Sequence, residues 1–299
     1  MQLSRTSTSN GTGSPEVTGF YDADTGSIQY LVADPDTKKA ALIDVVLTFD
    51  PESAATNTDS VDDILRFADH EGLEIEWILD THPHADHLMA SSLLKKRLGV
   101  ANAIGEKVIE IAELWRDYYH LPDAFDVKAD FDHLFAAGDT FQIGSLPVRV
   151  MLSPGHTLGS ITYVVGDDAA FVHDTFMQPD VGTSRADFPG GTASDLYESL
   201  QAILRLPDHT RLFIGHDYGT NQRPAPQWES TVAEQRRHNA HIGGGRDKDA
   251  YVAQREARDQ TLALPDRMLH VLQMNLRAGR VPPAEGDGHS YLKIPLNKF

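Results

Sequence analysis

Three histidines and an aspartate crowd into His82-Pro83-His84-Ala85-Asp86-His87. Protonated imidazoles this close repel one another, whereas neutral ones suit a shared cation. A single histidine is usually a surface residue or a satisfied core one. The pattern H-x-H-x-D-H is different, because the alternation points His82 and His84 the same way, and it reads as a metal site. Further ligand types follow at wide spacing. His156 lies in Ser153-Pro154-Gly155-His156-Thr157-Leu158-Gly159-Ser160, Asp174 in His173-Asp174-Thr175, and His216 in Gly215-His216-Asp217-Tyr218-Gly219. The chain has no cysteine. Disulfides, thiolate ligands and a cysteine nucleophile are therefore excluded, and imidazole and carboxylate oxygen must hold any metal.

Each of these groups needs an element to place it. Ile75 to Leu79 reads as a buried strand before the histidine cluster, and Leu88 to Leu98 as a helix after it. Leu146 to Leu152 is a strand that ends at the His156 loop. Ala169 to Val172 is a strand that ends at Asp174, and Arg211 to Ile214 one that ends at His216. The pattern occurs four times: an apolar strand, then an abrupt loop with His or Asp. Strand ends along one sheet edge are where α/β folds gather reactive groups, so one shared cation accounts for all four loops.

The remaining elements fit around these. Ile28 to Val32 and Ala40 to Val46 make a hairpin across Asp34-Pro35-Asp36-Thr37. Asp44 either lines the site or is a solvated strand-end carboxylate. Ser60 caps a helix to about His70 that stops at Gly72, and Ser194 caps another from Asp195 to Leu204. Glu106 to Tyr119 is helical, and Leu121 to Asp132 is irregular. Beyond Trp228 the chain reads as three helices, Glu229 to His241, Lys248 to Leu264, and Pro265 to about Leu276.

The formal net charge of −18 repels phosphates and anionic lipid heads, so neither nucleic acid nor a membrane is expected as a partner. The polar first 18 residues, with no apolar h-region, read as a disordered leader. No run of about 18 apolar residues occurs, and a cytoplasmic protein is the default expectation. Residues 19–225 form the main domain and 226–299 a helical extension packed on it. A homodimer stays open.

On the residues Thr81-His82-Pro83-His84-Ala85-Asp86-His87, then His156, Asp174 and His216 in order, the chain resembles the metallo-β-lactamase superfamily over about residues 19 to 220. The resemblance implies an α/β fold, the αββα sandwich, with a helical C-terminal extension here. In the superfamily's two-metal form, His82, His84 and His156 would hold one ion. Asp86, His87 and His216 would hold the second, with Asp174 bridging.

A narrower likeness rests on Ser153 to Tyr163, on Thr183-Ser184-Arg185-Ala186-Asp187-Phe188, on Gly215 to Gly219, and on C-terminal runs such as Met274-Asn275-Leu276-Arg277-Ala278-Gly279. These look like the bacterial persulfide dioxygenases. That likeness implies one Fe(II) per chain on His82, His156 and Asp174, the two-His-one-carboxylate face of non-haem oxygenases. His84, Asp86, His87 and His216 would then surround it. The implied reaction oxidises glutathione persulfide, or a related small persulfide, with dioxygen to sulfite and thiol in sulfide detoxification. Arg185, with Asp187, would meet the substrate, and the Tyr218 hydroxyl would face the open metal positions. One departure bears on the carrier: Gly182-Thr183-Ser184-Arg185 stands where the glutathione-handling branch commonly has Gly-Cys-Gly-Arg. The alternatives are a thioester hydrolase of the glyoxalase II kind with two zinc ions, and a metal-binding module without turnover.

Overall fold

Leu146, Val148 and Val150 are buried while Pro147 and Arg149 between them are exposed, the period-two signature of a strand with one wet face. Ile28 to Ala33, by contrast, is buried along its whole length, as a strand covered on both faces must be. The computed structural model describes residues 2–299. In chain order its elements begin with β1 (Leu3–Ser7), β2 (Glu16–Tyr21), β3 (Ile28–Ala33), β4 (Lys39–Ile43), β5 (Val46–Asp50), β6 (Ala55–Asn57), α1 (Asp59–His70), β7 (Glu74–Leu79), β8 (Leu88–Met89) and α2 (Ser91–Leu98). Then come β9 (Asn102–Gly105), α3 (Val108–Tyr119), α4 (Val127–Asp130), β10 (His133–Phe135), β11 (Thr140–Ile143), β12 (Leu146–Leu152), β13 (Ile161–Val165) and β14 (Ala169–His173). The chain closes with α5 (Ala193–Ile203), β15 (Arg211–Ile214), β16 (Glu229–Thr231), α6 (Val232–His238), α7 (Lys248–Asp259) and α8 (Met268–Asn275).

Two sheets carry the architecture. One runs β1-β2-β3-β4-β7-β9-β10, the other β11-β12-β13-β14-β15-β16, and a small third sheet runs β6-β5-β8. The largest apolar cluster joins Tyr30, Val32 and Ile43 of the first sheet to Val150, Tyr163, Phe171 and Phe213 of the second. On the outer face of the first sheet, Ile64 of α1 and Leu94 of α2 pack on Leu31 and Leu42. On the second, Leu196, Leu200 and Ile203 of α5 join the main cluster together with Tyr251 of α7. The result is the expected αββα sandwich with C-terminal helices. Among the described residues, no helix is long and apolar enough to cross a membrane.

Several local expectations need correction. Residues 2–18 are not a disordered leader, since β1 pairs with β2 from Leu3↔Tyr21 to Ser7↔Val17. Met1 lies outside the described residues. A polar edge strand needs only backbone pairing and one protected face, so its Ser/Thr-rich sequence resembled an unfolded tail. The run Ala40 to Val46 breaks at Asp44, whose φ of 51° turns the chain out of the sheet. Glu229 to Thr231 is a strand, not the start of a helix. Thr231 then caps α6 in a reciprocal capping box with Glu234. Thr192 caps α5, rather than Ser194, its hydroxyl accepting from the Asp195 amide. Position 60 lies inside α1, which opens at Asp59.

Candidate metal centre

Parallel pairing brings the ligand-bearing ends together. β14 and β15 run parallel, so the residues after each, Asp174 and His216, leave the same sheet edge. In the first sheet β4 runs parallel to β7 and places Asp44 beside Thr81. The left-handed turn at Asp44 aims its carboxylate at the histidine loop. It accepts from the Thr81 amide at 2.8 Å and the Thr81 hydroxyl at 2.8 Å, and lies 3.0 Å from His84 Nε2. Asn275 of α8 braces the loop from the far side, donating to the carbonyls of His84 (2.7 Å) and His87 (2.8 Å).

Glycines shape the loops that follow β12 and β15. Gly155, next to His156, has φ 129°, and a Cβ there would lie 2.2 Å from the Leu196 amide nitrogen. A Cβ at Gly215 would lie 2.5 Å from Asp174 Oδ1. A side chain at Gly155 would collide with Leu196 of α5, and one at Gly215 with the Asp174 carboxylate.

His82, His156 and Asp174 meet, as do His84 with Asp86 and His87, and Asp86 with Asp174 and His216, each trio with ligand atoms inside 4.8 Å. His156 Nδ1 donates to the Arg185 carbonyl at 2.9 Å, which leaves Nε2 as an acceptor 3.4 Å from Asp174 Oδ2. His82 Nδ1 lies 3.0 Å from the Thr81 hydroxyl, while its Nε2 is buried without a partner, 3.9 Å from Asp174 Oδ2. An orphaned buried acceptor costs stability unless something binds it. With two neutral imidazoles and one carboxylate at this spacing, the donor set fits a divalent cation.

The electrostatics agree with ligation. Burial, reinforced by the neighbouring rings, pushes His82 well below the usual imidazole range, so its lone pair stays free. Burial lowers His156 and His87 as well. Burial alone would raise Asp174, yet the His216 and His156 rings outweigh it and hold the carboxyl below its ordinary value. His216 is the opposite case. Burial disfavours its charge, but Asp174 Oδ1 at 2.6 Å on Nδ1 and Asp86 Oδ2 at 2.6 Å on Nε2 raise it well above the usual range.

Beside this cluster opens a cavity of about 300 Å³ with Met177, Phe188, Leu262, Arg185, Arg258 and Tyr218 on its walls. Tyr218 is 67% exposed, its ring stacked 6.1 Å from that of His216. Arg185 is also held within its own loop. It donates Nε and Nη2 to Asp187 (2.6 and 2.8 Å) and Nη1 to the Ala263 carbonyl (2.6 Å). The two residues share one loop, and the guanidinium fork closes on its neighbour while still lining the cavity. Sequence reasoning missed Arg258, which sits on a helix that reads only as charged and amphipathic. Arg258 donates Nη1 to Thr261 Oγ1 at 3.2 Å.

The family model described as metallo-beta-lactamase superfamily matches residues 25–216, a span that takes in every candidate ligand. The chain belongs to the metallo-beta-lactamase superfamily. It is 55% identical over 283 residues to a beta-lactamase hydrolase-like protein of Xylella fastidiosa, covering 95% of this chain but 65% of that relative's length. To "Glyoxylase B2" of Dictyostelium discoideum it is 40% identical, covering 93% and 96% of the two chains. To the mitochondrial persulfide dioxygenase ETHE1 of Bos taurus it is 29% identical, covering 72% and 73%. The crystal structure of ETHE1 from Myxococcus xanthus superposes with a TM-score of 0.70 at 28% identity, covering 88% of this chain and 98% of that one. This metallo-beta-lactamase fold thus has a His/Asp metal-binding site at the edge between its two sheets.

Proposed function

We propose that the protein is a persulfide dioxygenase with one Fe(II) held by His82, His156 and Asp174. It would oxidise glutathione persulfide, or a related small persulfide, with dioxygen and water to sulfite and the free thiol. The observation that carries this reading is the trio itself. Two neutral imidazoles and one ionised carboxylate bring ligand atoms within 4.8 Å of one another, with His156 and Asp174 lining the cavity, and this is the donor set of non-haem iron oxygenases. Iron bound there would supply the redox chemistry that dioxygen requires. The chain's own residues do the rest. Met177, Phe188 and Leu262 exclude water from the reacting sulfur, Arg258 meets an anionic end of the carrier, and Tyr218 offers a hydroxyl at the mouth.

A second reading, a two-zinc thioester hydrolase, draws on a different observation. His84 Nδ1 and His87 Nε2 are also buried without partners, as atoms awaiting a second ion would be. Metal analysis and two assays separate the readings. Iron-loaded protein should carry one iron per chain and consume oxygen with glutathione persulfide, and His156→Ala should lose both iron and turnover. Rapid hydrolysis of S-lactoylglutathione by zinc-loaded protein, with no oxygen consumption by the iron form, would reverse the choice.

A further inference from the structure

Ser27 takes no part in the chemistry described so far, yet its hydroxyl sits inside the second group of ligands. Its Oγ lies 2.9 Å from His216 Nε2, 3.0 Å from His87 Nδ1 and 3.2 Å from Asp86 Oδ2. The side chain cannot swing away. Ser27 is 1% exposed, its backbone bridges to His216, and the next amide, Ile28, donates to the Gly215 carbonyl at 2.8 Å. The strand that carries the serine is therefore bonded to the loop that carries the histidine. The Thr25 hydroxyl, 2.8 Å away, closes the remaining side.

We infer that Ser27 is a built-in plug that keeps this centre mononuclear, a role that rests on the one-metal reading above. The geometry around it is consistent with exclusion of an ion. Ligand atoms around a zinc-sized cation lie about 2.0–2.2 Å from it, so no two can be more than about 4.4 Å apart. Asp86 falls in one trio with His84 and His87 and in another with Asp174 and His216, but no trio unites His87 with His216. The two imidazoles straddle the serine oxygen instead, with ring centres 6.0 Å apart. The hydroxyl occupies His216 Nε2 and Asp86 Oδ2, two of the atoms that a second cation would need, and also the Nδ1 side of His87. It does so at no cost in charge, while His216 remains pinned between Asp86 and Asp174.

The test is stoichiometry rather than activity. Metal-stripped wild type, Ser27→Ala, Ser27→Gly and Ser27→Thr are dialysed to equilibrium against zinc(II), and bound metal is measured per folded chain. Wild type and the hydroxyl-retaining Ser27→Thr should each hold one equivalent. Ser27→Ala and Ser27→Gly should each hold two, and adding Asp86→Ala to either should return it to one. The glycine variant keeps the test open if alanine packs poorly. One equivalent in wild type and in both plug-less variants overturns the role of Ser27 while leaving the one-metal reading standing. Two equivalents in wild type overturn both.

Discussion

At the scale of single residues, the cavity divides its arginines into committed and available ones. Arg185 is locked to Asp187 and Ala263, and its guanidinium covers the Phe188 ring at 4.9 Å. Arg258 donates to the neutral Thr261 hydroxyl at 3.2 Å. If the substrate carries a carboxylate, Arg258→Ala should raise KM about tenfold, the worth of one surface-side charged hydrogen bond, with metal content unchanged. Arg185→Ala should instead lower the thermal midpoint, because it unfastens the loop that orients His156 through the Arg185 carbonyl. Steady-state kinetics and melting curves on both variants decide the assignment. Tyr218 is more exposed than an ideally buried donor. Where such a donor is fully enclosed its loss costs about 10²–10³ in rate. For Tyr218→Phe the expected loss is nearer tenfold, measured as oxygen consumption at matched iron occupancy, and equal rates would return the residue to packing on Gly26.

At the scale of elements, the ligands were legible because each follows an apolar strand directly, where local pattern and local chemistry coincide. What braces them was not. Ser27 contacts residues 59 to 189 positions away, and Asn275 reaches back across nearly two hundred, separations that no periodicity records. Asp44 was visible as a carboxylate, but its direction depends on one left-handed residue. The three-residue β16 and the polar β1 lack the length or alternation that marks a strand. β1 nevertheless has structural weight. The segment after it shields the buried pair of Arg211 and Asp168 (3.0 Å): Asn10 donates to Asp168 at 2.6 Å, and Arg211 donates to the Ser14 hydroxyl and Pro15 carbonyl. Removing residues 2–14 strips charged hydrogen bonds worth about 1.5–3 kcal/mol each from a pair that stays buried. Urea unfolding should register a loss of at least about 3 kcal/mol; an unchanged midpoint would make the strand dispensable.

At the scale of the whole molecule, the acidic chain keeps one carboxyl in an unusual state. Burial, aided by the charge of Asp44, pushes Asp80 up to about 7 despite donation from Ser91. The unfolded value is 3.8, so the fold prefers the protonated form. Its contribution is complete below the unfolded value and is lost as pH rises through about 7. Metal-free wild type should therefore lose about 2–3 kcal/mol relative to Asp80→Asn between pH 5 and pH 8, read from paired urea titrations; parallel curves would contradict the raised value. The proposed ligand trio has one further consequence. His82 hangs from the first sheet, whereas His156 and Asp174 hang from the second. A cation gripped by all three is a rivet through the sandwich, and parting the layers would require breaking its bonds. Loading should then slow backbone amide exchange on both inner faces together, including strands far from the rivet, in proportion to how tightly the ion is held.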